Sequence, residues 1–98
     1  MLDQSSLLFS NRESIGNFSV FPQKEVKRCH VLLPDMPHPS GAIAIQGRFY
    51  IYVKFFSTEE AAQRAAQRLS EKGNPVILTQ VPKGLVLWVY EPEAKLAS

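Results

Sequence analysis

The sequence predicts an α+β domain: a small antiparallel sheet with one helix packed on one face, in the order β-β-α-β-β. Three observations predict it. Residues 42–56 alternate in polarity with a period of two, the next segment has apolar residues at helical spacing, and two shorter apolar runs follow around a turn. The chain has 98 residues, of which 45% are hydrophobic and 20% charged, which suits one hydrophobic core.

The strands before the helix are predicted from alternation. Within residues 24–33, Cys29, Val31 and Leu33 share one face, and a proline-rich loop ends the run. Residues 42–56 follow as the clearest strand pattern, and Gly47 is expected to mark a bulge or bend between two segments, since fifteen residues exceed the usual strand length. The odd positions of this strand are apolar and are expected to face the core. The even positions from 46 onward are expected to face outward, and they are Gln46, Arg48, Tyr50, Tyr52 and Lys54.

A capping-box pattern predicts the helix start, since the Ser57 hydroxyl can accept from the backbone N–H of Glu60. The helix is predicted to run to about Lys72 and to end at Gly73. Residues 76–81 and 85–90 are predicted as two strands joined by a hairpin turn. Both faces of this hairpin are apolar, so it is expected to be central or covered.

Three regions are predicted along the chain. Residues 1–23 form an irregular N-terminal segment that is available to a partner, residues 24–93 form the α+β domain, and residues 94–98 form a tail. Leu7, Leu8 and Phe9 are the apolar candidates for contact with a partner at the start of the chain.

Catalytic, metal and cofactor chemistry is not predicted. The single cysteine, Cys29, excludes an internal disulfide and is expected to be a core thiol, while His30 points to the opposite face of its strand. Glu59 and Glu60 are expected to stabilise the helix N-terminus. Phosphate-binding loops, dinucleotide glycine patterns and nucleophile elbows are missing from the sequence. We therefore predict that the chain is not an enzyme and needs no metal or cofactor.

Charge and N-terminal sequence predict where the chain works. The formal net charge of +2 is too small to imply nucleic acid without clustering. The N-terminus does not have the pattern of a signal peptide, so a cytoplasmic location is expected. The outward face with Arg48, Tyr50, Tyr52 and Lys54 is either an ordinary solvated sheet face or a contact surface, because Tyr and Arg are enriched at binding interfaces.

Two resemblances concern the middle of the chain. Residues 48–55 (RFYIYVKF) resemble the basic and aromatic strand signature of RNA-recognition modules, which implies bases stacked on Tyr50 and Tyr52. The strand–helix–hairpin order also resembles the SPOR-type peptidoglycan-binding module. Modules of that type usually follow a membrane anchor and work in the periplasm. The sequence shows neither an anchor nor a signal, so this resemblance is set aside.

A third resemblance covers both ends of the chain. The opening MLDQSSL, the strand GRFYIYV at residues 47–53 and the helix exit QRLSEKG at residues 67–73 resemble, in order and spacing, the small phycobilisome rod-capping linkers. This resemblance implies a non-catalytic linker polypeptide of a light-harvesting rod. It would bind phycobiliprotein subunits through residues 7–9 and the outward face, in the cytoplasm beside the thylakoid membrane. The alternatives are a single-stranded nucleic-acid-binding module and a protein–protein adaptor.

Overall fold

The computed structural model describes residues 14–97, which form one helix and eight strands. The strands are β1 (Ser14–Ile15), β2 (Phe18–Pro22), β3 (Lys27–Leu32), β4 (Ser40–Ile45), β5 (Arg48–Phe56), β6 (Val76–Val81), β7 (Gly84–Tyr90) and β8 (Lys95–Leu96). The helix α1 (Glu59–Glu71) lies between β5 and β6, and a 3-10 turn (Gln23–Glu25) lies between β2 and β3.

All eight strands form one mixed sheet in the order β1-β2-β6-β7-β5-β4-β3-β8. Strand β2 pairs with β6 in parallel, with Val20 opposite Leu78, whereas every other pair is antiparallel. The prediction of a small antiparallel sheet is therefore wrong. The parallel pair forms because Phe18 and Val20 are apolar side chains that enter the core beside β6.

The prediction of an irregular N-terminal segment is also wrong for the part of it that the structure describes. Residues 14–22 form β1 and β2, and Ile15, Phe18 and Val20 are almost completely buried. Gly16 allows the tight turn between these strands, since its φ of 61° lies in the left-handed region. Residues 95–96, within the predicted tail, form β8 and pair with β3.

The predicted long strand of residues 42–56 is two strands. Gln46 and Gly47 have φ values of 52° and 80°, and two consecutive positive φ values make the two-residue turn that joins antiparallel strands. The expected break at Gly47 is thus present, but it is a hairpin turn that reverses the chain and not a bulge. Where the sequence predicts two strands, the structure has three, β3, β4 and β5, and the order of elements from β3 to β7 is β-β-β-α-β-β.

The predicted helix is confirmed, with its cap one residue later than expected. Thr58, and not Ser57, is the N-cap, and its hydroxyl accepts from the backbone N–H of Ala61 at 3.2 Å. Ala62 and Ala66 are fully buried against the sheet. The predicted hairpin of residues 76–90 is also confirmed, and both of its strands are internal in the sheet.

The two faces of the sheet carry separate hydrophobic clusters. The cluster under α1 contains Leu78, Leu85 and Leu87 together with the helix alanines. The other face carries Tyr50, Tyr52, Trp88 and Tyr90, and we call it the aromatic face. Its buried cluster consists of Ile43, Tyr50, Ile77, Val86 and Trp88.

The sheet curls toward the aromatic face. Strands β2 and β3 are separated in the sheet by four others, which in a flat sheet would place them about 24 Å apart. The chain from Pro22 to Lys27 can span only roughly 18 Å. Phe21 and Val26, at the two ends of this connection, pack against the cluster of the aromatic face. The short connection therefore draws the two sides of the sheet together over that face.

Candidate functional site

One row of side chains crosses the aromatic face. The pairing of β3 with β4 sets His30 opposite Gly41, and the pairing of β5 with β7 sets Tyr52 opposite Trp88. Because Ala42 is opposite Ile51, Gly41 falls opposite Tyr52. Directly opposed residues share a face, so the row runs from His30 across Gly41 and Tyr52 to Trp88.

A groove of about 370 Å³ lies along this row. The residues that line it are Arg28, Cys29, His30, Gly41, Ala42, Tyr52 and Trp88. It exists because Gly41 has no side chain: a Cβ placed there would have no other atom within 4 Å in the part of the chain that the structure describes. The volume is at the small end of the range for ligand sites and suits a group about the size of one ring.

The aromatic wall of the groove is held rigidly. Tyr52 is 53% exposed, and its ring meets the Trp88 ring edge-to-face with centroids 5.9 Å apart. Trp88 is buried, and its indole Nε1 donates to the hydroxyl of Thr79 at 2.8 Å. That hydroxyl in turn donates to Gln23 Oε1 at 2.5 Å. Tyr52 therefore rests on a fixed support and offers a preorganised flat surface.

The opposite wall of the groove is cationic and rich in donors. Arg28 and His30 are exposed, and their side chains make no hydrogen bond or ion pair with any residue in the range 14–97. Among the described residues, none that lines the groove carries a carboxylate. The arrangement joins a flat aromatic surface to free N–H donors, which is a typical way to bind a ligand that has both apolar and acceptor groups.

A second aromatic group lies beside the groove. The Arg48 guanidinium carbon is 5.4 Å from the centroid of the Tyr90 ring, and the Tyr50 and Tyr90 centroids are 5.6 Å apart. Tyr50 is only 7% exposed, so its ring is mostly a core group. Arg48 extends the positive charge of the aromatic face.

The structure does not bring all the sequence-predicted contact residues together. Arg48, Tyr50 and Tyr52 lie on the aromatic face. Lys54 does not, because Val53 is an extra residue in β5 that shifts the pairing with β7. Lys54 is opposite Leu87 on the helix side, with its Nζ 5.7 Å from the Phe56 ring centroid. Leu7, Leu8 and Phe9 lie outside the described residues.

Six of the seven residues that line the groove were not predicted as site residues from the sequence, namely Arg28, Cys29, His30, Gly41, Ala42 and Trp88. The alternation in residues 24–33 does place Arg28 and His30 on one face. Their position beside Tyr52 depends on the turn at Gln46 and Gly47, which creates the β3–β4–β5 meander. Cys29 lines the groove as a half-buried free thiol and is less buried than a core residue.

Two kinds of feature are absent from residues 14–97. No group of three or more His, Cys, Asp or Glu side chains in this part of the chain could hold a metal ion. Within the same range, no helix has both the length and the apolar character needed to cross a membrane.

Part of this chain matches a known protein family. The family model of the SPOR domain matches residues 45–90, which include β5, α1, β6 and β7. No curated protein and no solved structure matches the chain. Residues 45–90 are therefore similar to a SPOR domain, and two aromatic residues of the groove, Tyr52 and Trp88, lie within the match.

This match corrects the identification made from short motifs. The phycobilisome rod-linker resemblance is wrong, and the phycobiliprotein partner and the thylakoid location that followed from it are wrong as well. The alternative of a nucleic-acid-binding module has no support in the match either. The motifs that suggested the phycobilisome linker and the RNA-recognition module are each a few residues long. The SPOR match, in contrast, is continuous over a strand, the helix and a hairpin.

Replacing Thr79 with valine is expected to lower the free energy of unfolding by about 1–3 kcal/mol. Thr79 is fully buried, and valine of similar shape leaves the Trp88 N–H without an acceptor. Urea denaturation measures the loss. In a Trp88→Phe background the same substitution should cost less, because the donor is already gone; an equal cost in both backgrounds contradicts the role of this bond.

Proposed function

We propose that this chain is a SPOR-like binding module for peptidoglycan and that the groove on the aromatic face holds the ligand. The observation that carries the proposal is the position of the groove. An exposed tyrosine ring faces N–H donors that have no partner among residues 14–97, and the tyrosine lies in the segment that resembles SPOR domains.

The chemistry of peptidoglycan fits the two walls. Its glycan strands expose apolar C–H faces of sugar rings, which can stack on the ring of Tyr52 as other flat groups do on aromatic side chains. Sugar hydroxyl and amide oxygens can accept from the Arg28 guanidinium and the His30 imidazole. The peptides of peptidoglycan carry carboxylates, and the positive charge of Arg28 and Arg48 on this face favours approach to such a polymer.

In this proposal the chain binds and does not catalyse. A binding module of this kind works where peptidoglycan is, which for SPOR-type modules is the periplasm. That location replaces the cytoplasmic location expected from the sequence.

Co-sedimentation with purified peptidoglycan sacculi tests the proposed function. The full chain is expected to pellet with sacculi and to stay in solution with microcrystalline cellulose, an insoluble glycan without amide or acidic groups. Trp88 is the single tryptophan of the chain and lines the groove, so its fluorescence should change when soluble peptidoglycan fragments bind. Equal partition onto sacculi and cellulose, or no sedimentation with sacculi, would overturn the proposal.

A further inference from the structure

The glycine at position 41 is not required by the fold. Its φ lies outside the left-handed region, and a Cβ would meet no other atom of residues 14–97 within 4 Å. A glycine inside a strand destabilises it by roughly 0.5–1 kcal/mol relative to alanine. A larger residue would therefore fit β4 at least as well. The shape of the groove, and not the fold, accounts for the glycine.

The absent side chain leaves a notch of defined chemistry. In the row across the aromatic face, Gly41 lies between His30 and Tyr52, and each of those neighbours carries a side chain. The Tyr52 ring borders the notch on the apolar side, and His30 and Arg28 border it on the donor side. Backbone of β3 and β4 forms the floor. A group that fills this space needs an apolar part and an acceptor oxygen on opposite sides.

We propose that the notch above Gly41 receives the N-acetyl group of an amino sugar and that Gly41 determines this specificity. The inference rests on the proposed function, because it names the chemical group by which the same groove recognises peptidoglycan. The acetyl methyl packs against the Tyr52 ring. The amide oxygen accepts from Arg28 or His30, whose side chains have no other partner among residues 14–97.

An acetamido group fits this notch better than a hydroxyl. A hydroxyl is too small to reach both walls, so it would leave the aromatic side in contact with water. A site built around one polar group discriminates strongly against a ligand that lacks it, because the donors are then left unpaired. The groove should therefore distinguish N-acetylated from non-acetylated sugars.

Chemically altered sacculi test the inference with the wild-type chain. Sacculi are de-N-acetylated with a peptidoglycan deacetylase, and portions are then re-acylated with acetic anhydride or with pivalic anhydride. Deacetylation should weaken binding at least about tenfold, and acetylation should restore it. Deacetylation leaves a positively charged amine on the sugar, and acetylation and pivaloylation both remove that charge. The pivaloyl group is too bulky for the notch, so pivaloylation should not restore binding.

Variants of Gly41 test the same notch from the protein side. Gly41→Val fills the space and should weaken binding to native sacculi about tenfold, while the smaller Gly41→Ala has an intermediate effect. Thermal unfolding of both variants should match or exceed that of the wild type, which shows that the loss is not misfolding. Binding by Gly41→Val should no longer respond to acetylation.

The failure of this inference can be told apart from failure of the proposed function. If the wild type binds native, deacetylated and pivaloylated sacculi equally well, the inference is overturned and peptidoglycan binding stands. Unchanged binding by Gly41→Val also overturns the inference alone. If the wild type binds none of these sacculi, the proposed function is overturned and the inference with it.

Discussion

Replacing Tyr52 with alanine is expected to weaken binding to sacculi about thirtyfold, a loss of about 2 kcal/mol, because exposed aromatic anchors carry much of the energy of a binding surface. Tyr52 is 53% exposed, and its ring meets the buried Trp88 ring edge-to-face. The free energy of unfolding should change by less than about 1 kcal/mol. Quantitative co-sedimentation gives the affinity, and urea denaturation gives the stability.

Phe55→Ala is the matched control for the Tyr52 variant. Phe55 lies on the same strand, is opposite Val86 on the same face and is 40% exposed, but it does not line the groove. Its truncation should leave affinity for sacculi unchanged. Equal losses of affinity for the two variants would show that binding depends on the general hydrophobicity of the strand. That result would contradict the claim that the groove is the binding site.

Gly84→Ala is expected to have the largest effect on stability, lowering the free energy of unfolding by about 2–3 kcal/mol. A Cβ at Gly84 would collide with the backbone carbonyl oxygen of Phe56 and would lie 2.9 Å from the Phe55 ring. Backbone cannot move aside as a flexible side chain can, so β7 must shift away from β5. For a domain of this size the melting temperature should fall by roughly 10–20 °C.

Gly41→Ala is the control for that substitution, since it also adds one methyl group to a strand glycine. Apart from its chain neighbours, no described residue has an atom within 4 Å of the added Cβ, so the melting temperature of this variant should stay equal to or above that of the wild type. Calorimetry on the two variants compares them directly. A small effect of Gly84→Ala, equal to that of Gly41→Ala, would contradict the close approach of β7 to β5.

Local signals in the sequence predict the second half of the fold correctly. The helix follows from its capping residues and alanine spacing, and the β6–β7 hairpin follows from two apolar runs around Pro82. These features depend on neighbours within a few residues. The cap differs by one residue because Ser57 and Thr58 are both good N-caps, and sequence alone does not choose between them.

Features that depend on distant pairing are predicted wrongly or not at all. The parallel contact of β2 with β6 joins residues more than fifty positions apart, and no local pattern encodes it. The turn at Gln46 is not predicted from the sequence, because Gln is an unusual residue at a position with a positive φ. The bulge at Val53 has no sequence signature either, so alternation alone assigns Lys54 to the wrong face.

The candidate site shows the same division. Tyr52 and Arg48 can be selected from the sequence because their residue types are typical of contact surfaces. The groove itself needs the register of three strands, which sets His30 opposite Gly41 and Gly41 opposite Tyr52. The SPOR resemblance depends on the strand–helix–hairpin unit that the sequence does predict. A membrane anchor is not part of that folding unit, so its presence or absence says nothing about the domain.

Chemical-shift mapping of the ¹⁵N-labelled chain during titration with soluble peptidoglycan fragments tests the central claim most directly. We expect the largest shifts at the amides of Gly41 and Tyr52 and at the indole N–H of Trp88, all on the aromatic face. Shifts confined to the outer face of α1, around Gln63 and Gln67, or no shifts at all, would contradict the claim that this face binds peptidoglycan.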